Sequence, residues 1–575
     1  MGGKTVSLVI AGSGGAGVVT AGSLLLEAAA RAGWYAYMTR SSGPQIRGGE
    51  AASMIRLATE PVASHDDAYH ILAAIDWENI DRFAAEIPLR ADSVIIADPD
   101  AGETPAKIAA MGARGVDLAM KSLAQGIDGG RANMIALGAI GAMIGLDEAC
   151  MLQVLREHLR RKGDAAIEAS IQAYRSGMVA AEGFPAVPKL DRPEAPFPDR
   201  WSITGNEASG MGALRGGVRF VAAYPITPAT EVLEWLAPAL PKVGGVLVQA
   251  EDELASINQI IGASYGGVPA LTATSGPGLA LMTESLGMAV AAEVPIVVVN
   301  VMRGGPSTGI PTKSEQSDLN IAVYGLHGDA PHLVLAPTSV ADCLFTTQWA
   351  VHLAEALQTA AIVLSDQAMG QARAVIPRTA AITFIGQREK PDAAMEAGAY
   401  QRYALTASGV SPMAVPGMAG FAYTADGLSH SESGSPSSQA LHHREQLDKR
   451  LRKLTGFDYG QHWAEIGGDD DAEIAILTWG SCTGPVREAL ARWQDSGGRA
   501  KVVAMRLLSP VQTDKLDVVL AGVRRVLVVE QTHSGQFHRY LRAHYDLPGE
   551  VRALHHPGPL PVRPGEVIEQ LSHWR

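Results

Sequence analysis

A chain of 575 residues, 47% hydrophobic and 19% charged, is too long for one core and reads as roughly two to four globular domains. Its net charge of −13 speaks against nucleic acid or an anionic membrane surface as the main partner. The three cysteines, Cys150, Cys343 and Cys482, stand far apart in no metal-ligand spacing. Neither a disulfide framework nor a four-cysteine iron–sulfur cluster is expected in this chain, and a reducing cytoplasm is. The apolar run Ser7–Ala11 is too short for a signal peptide, and the stretch Met282–Val301 is broken by Glu284, Glu293 and Pro295, so no membrane span is expected.

The chain opens with SLVIAGSGGAGVVTAGSLLLEAAARAG, a buried strand, a glycine turn (Gly12, Gly14, Gly15, Gly17) and a long Ala/Leu helix. The glycines allow positive φ, and the helix N-terminus offers unpaired N–H groups to an anion. The turn matches the dinucleotide pattern GxGxxG, but that reading also needs an acidic residue at the end of a second strand. Met38–Arg40 stand there instead, which favours a structural turn or a different ligand. The loop Ser41–Gly49 carries Arg47 before two glycines. It is either a surface turn or a phosphate or carboxylate contact beside the glycine turn. Strands at Ala68–Ala74 and Val94–Asp98 and helices at Asn133–Ile144 and Asp147–Lys162 complete a first α/β domain, residues 1–185.

Gly183–Arg200 holds five prolines and little periodicity. A stiff linker is expected over 186–200. A second domain, 201–381, alternates helices with strands at Phe220–Tyr224, Val246–Gln249, Ala270–Thr274, Ile296–Val301, Leu333–Ala336 and Ala361–Ser365, a doubly wound α/β pattern. Residues 382–470 are rich in Gly, Ser, Pro and Met and poor in strand signals, as extended partner-contact loops are. The alternation restarts in a third small α/β domain, 471–575.

The polar loops of the second domain carry the chemistry. In YPITPATE, Pro225 and Pro228 stiffen a loop that presents Thr227 and Thr230, and the same residues suit a helix start. In VQAEDELASI, Glu251, Asp252 and Glu253 follow a buried strand; a charged first helical turn accounts for part of this, and a carboxylate at a strand end suits acid/base work. TSGPG, Thr274–Gly278, makes a tight turn that exposes backbone. Arg303, Lys313 and the Gly/Ser/Thr loop between them form a cationic, donor-rich lid suited to an anionic substrate.

The order YPITP, QAEDE, TSGPG, RGGPSTGIPTKSEQSDL and LSDQ (Leu364–Gln367) resembles the α subunit of the 2-oxoacid:ferredoxin oxidoreductases, the 2-oxoglutarate enzymes above all. Gly12–Arg56 resembles the γ domain of the same family, here fused in front, although Ala16 stands where the family's glycine turn carries Gln. The YTADGLSHSESG tract from Tyr423 and the segment VVEQTHSGQ fit the α subunit too. The resemblance implies a Rossmann-like γ domain, a pyrimidine-type thiamine-diphosphate-binding domain and a transketolase-C-like third domain. It implies an enzyme that converts 2-oxoglutarate, coenzyme A and oxidised ferredoxin to succinyl-CoA, CO2 and reduced ferredoxin, and the reverse. Alternatives are another 2-oxoacid (pyruvate, branched-chain or indolepyruvate) and a non-catalytic scaffold.

Site residues follow position by position from the same resemblance. Glu251 matches the catalytic carboxylate that hydrogen-bonds the aminopyrimidine ring of thiamine diphosphate, and Ser275, Gly276 and Pro277 are assigned to the same cofactor. Thr227, Arg303 and Thr312 match residues that hold the 2-oxoacid, and Lys313 is added for a distal carboxylate. Gly14, Gly15, Arg47 and Thr227 are possible coenzyme A contacts. The family's diphosphate-binding domain carries GDG followed at a set distance by Asn, and neither Gly126–Gly130 nor Ala425–Gly427 has that Asn. The Mg2+–diphosphate site and the [4Fe-4S] cluster are therefore expected in a β subunit, within an (αβ)2 assembly, with no metal held by this chain.

Overall fold

The structure, a computed structural model, describes residues 2–42, 50–78, 80–191, 199–380, 383–392 and 399–574. Chain contacts divide it into two units. The first comprises Met1–Thr204 with Gln371–Thr379 and Arg563–Glu566, and the second comprises the remainder.

The first unit is built on an eight-stranded mixed sheet. Its order is Arg114–Asp117, Leu89–Ala97, Tyr69–Ala74, Thr5–Ser13, Glu50–Ala58, Tyr35–Ser42, Arg373–Pro377, Arg200–Thr204. The first four strands run parallel, and each later pairing is antiparallel. Helix Val18–Arg31 follows the glycine turn and buries Leu24, Leu25 and Leu26. The chain then returns as the hairpin Tyr35–Ser42 and Glu50–Ala58, which lies antiparallel beside Thr5–Ser13. A dinucleotide-binding unit would place a parallel strand there. The absence of an acidic residue after Met38 has its explanation in this hairpin.

The strands Arg200–Thr204 and Arg373–Pro377, not expected from the sequence, pair with each other and extend this first sheet, although the expected second domain, 201–381, takes in almost all of both. Arg200 fastens that edge, donating from Nη1 to the Gly33 carbonyl at 2.6 Å and stacking its guanidinium 3.9 Å from the Tyr35 ring centroid. Of the expected linker, residues 192–198 lie outside the described residues, as does Arg47.

The second unit contains a seven-stranded sheet in the order Val246–Gln249, Phe220–Ala223, Ala270–Thr274, Ile296–Met302, Ala360–Asp366, Leu333–Leu335, Leu507–Ser509. Its first six strands are parallel, and Leu507–Ser509 from the C-terminal segment closes the edge antiparallel to Leu333–Leu335. Their near-continuous apolar runs suit strands covered on both faces by helices. The helices Gly205–Gly216 and Val340–Leu357 approach closely enough that a Cβ on Gly212 would collide with the Leu344 carbonyl. The C-terminal segment forms a five-stranded sheet in the order Ala464–Gly468, Lys501–Met505, Ile474–Trp479, Arg525–Glu530, Glu550–His555. Of residues 382–470, expected as extended loops, 399–439 hold one isolated bridge, His430 to Pro436, and no α-helix, but Ala440–Thr455 is a helix and Ala464–Gly468 a strand, so the loop expectation fails beyond 439. Helix Ala440–Thr455 buries Lys449 and Lys453 against Glu293. Among the described residues no helix is long and apolar enough to cross a membrane.

Candidate active site

The strand order of the second unit's sheet defines where a ligand can sit. The chain passes from Phe220–Ala223 outward to Val246–Gln249, then back across to Ala270–Thr274 on the other side. That reversal is a topological switch point, and in open parallel sheets the crevice beyond the strands' carboxyl ends at such a point is the ligand site. YPITP, Glu251 and TSGPG occupy those three strand ends, and Arg303 ends the next strand, Ile296–Met302.

The three acids after Val246–Gln249 have three different fates. Asp252 caps helix Glu253–Tyr265, its Oδ1 accepting from the Ala255 N–H at 2.6 Å. Glu253 is buried at 7% exposure, and a Cβ on Gly278 would stand 2.6 Å from its Oε1. Glu251 is exposed, and its side chain makes no hydrogen bond or ion pair among the described residues. The charged-first-turn explanation therefore accounts for Asp252 and Glu253 and leaves Glu251 over.

Arg303 is buried at 6% exposure, and burial pushes its guanidinium below its ordinary range while Asp318 opposes that shift. Its Nη1 donates to the Thr227 carbonyl at 2.6 Å, which ties the YPITP loop to the lid. Its Nε is buried with no partner. Buried oxygens without partners lie on the two neighbouring strands and just beyond them: Thr272 Oγ1, Ser275 Oγ and Asn300 Oδ1. Thr274 and Asn300 are cross-strand partners. Unspent buried polar atoms carry a free-energy cost that a ligand with matching donors and acceptors relieves.

The lid is an internally bonded loop. Gly304 N–H donates to the Lys313 carbonyl at 2.9 Å and Ile310 N–H to the Gly304 carbonyl at 2.8 Å, so half-buried Thr312 and Lys313 return beside the strand end that carries Arg303. Gly309 has φ 57, and a Cβ there would collide with the Gly304 carbonyl. The lid's far end is fastened by Gln316, a residue that sequence reasoning passed over. Its backbone N–H donates to the Gln531 carbonyl (2.9 Å), and its Nε2 donates to the Trp479 carbonyl (2.9 Å). Its Oε1 accepts from the Gln531 N–H (2.8 Å) and the Cys482 thiol (3.3 Å). Asn300 and Asp318 were passed over as well; the SEQSD run offered a signal, but it read as a polar loop.

Gly14 and Gly15 belong to the first unit, where a crevice of about 900 Å3 opens at the ends of the parallel strands. It is lined by Gly15 and Gly17 of the turn and by Asp76, Lys121, Arg131 and Asn133. Gly15 has φ 106 and open space where a Cβ would point. Ser13 Oγ donates to Asp76 Oδ2 at 2.8 Å and holds the turn to the neighbouring strand end. Among the described residues no cluster of His, Cys, Asp and Glu could hold a metal ion.

Comparisons with known proteins converge on one family. Residues 211–449 match the model described as pyruvate flavodoxin/ferredoxin oxidoreductase, thiamine diphosphate-binding, and residues 7–180 match pyruvate ferredoxin/flavodoxin oxidoreductase. The 2-oxoacid:ferredoxin oxidoreductase subunit alpha of Saccharolobus solfataricus is 29% identical, over 92% of each chain. The 2-oxoglutarate synthase subunit KorA of Methanothermobacter marburgensis is 35% identical, over 65% of this chain and 98% of its own. A solved structure, the 2-oxoglutarate:ferredoxin oxidoreductase from Magnetococcus marinus with 2-oxoglutarate, coenzyme A and succinyl-CoA bound, is 36% identical, with a TM-score of 0.92 and 99% of each chain covered. With its oxidoreductase domains and the strand-end loops that first suggested them, the chain belongs to the α subunits of the 2-oxoacid:ferredoxin oxidoreductase family.

Proposed function

We propose that this chain is the α subunit of a 2-oxoglutarate:ferredoxin oxidoreductase, with its γ-type domain fused in front. The reaction is 2-oxoglutarate, coenzyme A and two oxidised ferredoxins giving succinyl-CoA, CO2 and two reduced ferredoxins, and its reverse. The observation that carries this reading is the switch-point arrangement, in which an unpartnered, exposed Glu251 and a buried Arg303 with an unspent donor end strands on one face of the sheet edge. The Magnetococcus marinus enzyme, alike over the whole chain, supports the choice of 2-oxoacid.

Thiamine diphosphate, when bound, supplies an electron sink for the keto carbon. The orphaned oxygens of Thr272, Ser275 and Asn300 fit a ring rich in donors and acceptors. Glu251 would meet that ring with its carboxyl group as the hydrogen-bonding partner that acid/base work there needs. Ser275, Gly276 and Pro277 line the same side. Arg303 orients the carboxylate next to the keto group, pre-organised by its bond to the Thr227 carbonyl. Thr227 and Thr312 flank it, and Lys313 faces the distal carboxylate. Gly15 in the first unit's crevice, with Gly14 beside it in the same turn and the cations Lys121 and Arg131 in the lining, suits the phosphates of coenzyme A. A β subunit supplies the Mg2+–diphosphate grip and the [4Fe-4S] cluster, and the complex assembles as (αβ)2.

Steady-state rates of the complex with its copurified β subunit on 2-oxoglutarate, pyruvate and 2-oxoisovalerate test the substrate assignment. 2-Oxoglutarate is expected to have the highest kcat/KM, and Lys313→Met to lower it about tenfold or more while leaving pyruvate unaffected. A wild-type preference for pyruvate contradicts the assignment.

A further inference from the structure

The segment VVEQTHSGQ has no part in the chemistry described above, yet it touches the lid. The C-terminal five-stranded sheet has a switch point of its own. From Ile474–Trp479 the chain passes outward to Lys501–Met505, then back across to Arg525–Glu530 on the other side. The crevice beyond the carboxyl ends of those two neighbouring strands is where an open parallel sheet takes a ligand. Here the side chain of Gln316, fully buried, fills that place. Its Nε2 donates to the Trp479 carbonyl at the end of one strand (2.9 Å), and its Oε1 accepts from the Gln531 N–H just past the end of the other (2.8 Å). Gly480 has φ 59, and a Cβ there would stand 2.5 Å from Gln316 Nε2, so glycine makes room for the carboxamide.

The turn that follows Arg525–Glu530 is braced from within. Glu530, fully buried, accepts at Oε2 from the Thr532 hydroxyl and the Phe537 N–H and at Oε1 from the His538 N–H, each at 2.8 Å. Thr532 Oγ1 accepts in turn from the Gly535 N–H (3.0 Å) and the Gln536 N–H (3.2 Å). Gly535, with φ 66, brings the chain into helix Gln536–His544. The two glutamines of this turn meet the lid. The Gln531 carbonyl accepts from the Gln316 N–H at 2.9 Å. Gln536 reaches further along, its Nε2 donating to the Ser317 carbonyl at 2.8 Å and its Oε1 accepting from the Asn320 N–H at 3.0 Å. These contacts are all made by neutral amides, so the grip adds no charge beside an anionic substrate.

The part of the lid that is gripped is its neck. The Gly304 N–H donates to the Lys313 carbonyl at 2.9 Å, and the Gly305 N–H to Glu315 Oε2 at 3.2 Å, which ties the two limbs together. A loop whose ends are joined in this way moves as one piece, and holding its neck holds Thr312 and Lys313.

We infer that the turn Glu530–Gln536 is a positioning clasp: through Gln531 and Gln536 it fixes the neck at Gln316–Asn320 and keeps Thr312 and Lys313 in place before the 2-oxoacid arrives. The inference rests on the proposed function, in which Lys313 faces the distal carboxylate. A lid that is already ordered spares binding the cost of ordering it. Arg303 needs no such help, because it follows a buried strand and is tied to the Thr227 carbonyl. The clasp therefore serves a 2-oxoacid with a distal carboxylate more than one without.

Kinetics and hydrogen exchange on the complex with its copurified β subunit test this. Gln536→Ala, at a half-buried position, releases Ser317 and Asn320; Gln316→Ala empties the crevice. Gln536→Ala is expected to raise KM for 2-oxoglutarate about fivefold to tenfold, with a smaller change in kcat and in KM for pyruvate. Amide exchange should quicken in the lid, residues 303–318, and stay as it was in strand Ile296–Met302. Gln316→Ala should act in the same direction and more strongly. A merely structural role would lower the unfolding midpoint and shift both substrates together. In a folded Gln536→Ala complex, lid exchange at the wild-type rate, an unmoved KM for 2-oxoglutarate, or equal shifts for the two substrates each overturns the inference. If neither variant assembles, the wild type decides: slow exchange at the Gln316 and Asn320 amides supports the clasp, and fast exchange there overturns it. A wild-type complex that prefers pyruvate is a distinct result, which removes the proposed substrate while lid exchange still reports on the clasp.

Discussion

Three consecutive carboxylates, Glu251, Asp252 and Glu253, show how little residue type alone decides. The strand ends and a helix begins within three residues, so one acid must cap, one must turn inward and one is left facing out. Only the last is available for chemistry. Arg303 is the converse case, a cation drawn into the protein. Its desolvation is offset by the Thr227 carbonyl and the Asp318 charge, and its Nε keeps a donor in reserve. A guanidinium can serve a backbone carbonyl and a carboxylate at once in a fixed fork, and an ammonium cannot hold that geometry. Arg303→Lys is therefore expected to raise KM for the 2-oxoacid about tenfold to 100-fold, with a smaller change in kcat and an unchanged unfolding midpoint. An unchanged KM with a lowered midpoint would mean that Arg303 is structural.

Among the elements, helix Ala440–Thr455 is held by charge as much as by packing. Glu293 has φ 51 and is fully buried, with Lys449 Nζ at 2.6 Å, Lys453 Nζ at 2.9 Å, and Arg402 Nη2 on its backbone carbonyl at 2.7 Å. Burial alone would raise its carboxyl, but Lys453, Lys449 and Arg402 together hold it well below the usual carboxylate range. Burial likewise pushes Lys453 down to about 7. Removing the one anion strands several buried cations, whereas removing one cation leaves the others to serve it. Glu293→Gln should cost about 3–5 kcal/mol in urea unfolding followed by tryptophan fluorescence, and Lys453→Met far less. Equal costs would show that the cluster acts through packing alone. No sequence pattern announces this cluster, because burial of charge depends on a partner more than 150 residues away, and the stretch 382–470 that holds both lysines reads as loop. The parallel strands of the second unit were legible for the opposite reason: each is a short apolar run between Gly and Pro punctuation, and its register needs no distant information. Arg200–Thr204 and Arg373–Pro377 were not legible as strands, since their pairing spans about 170 residues and leaves no local trace. Glu251, Thr227 and Arg303 were legible as strand-end residues; Asn300, Gln316 and Asp318 were not, because their roles lie in what they touch.

At the scale of the whole molecule, the chain is one part of a catalyst. Its three cysteines cannot hold a four-cysteine cluster, and its strand-end crevice presents the Glu251 carboxyl outward rather than into its own core. The net charge of −13 and the family match fit a subunit whose partners are other proteins and small anions. The most direct measurement is ferredoxin reduction by the assembled complex with 2-oxoglutarate and coenzyme A, wild type against Glu251→Gln, with the isolated chain as a third sample. The wild-type complex should reduce ferredoxin, the isolated chain should not, and Glu251→Gln should lose about 100-fold or more in kcat while assembling normally. A Glu251→Gln complex that works at the wild-type rate would contradict the placement of the active site at this strand end.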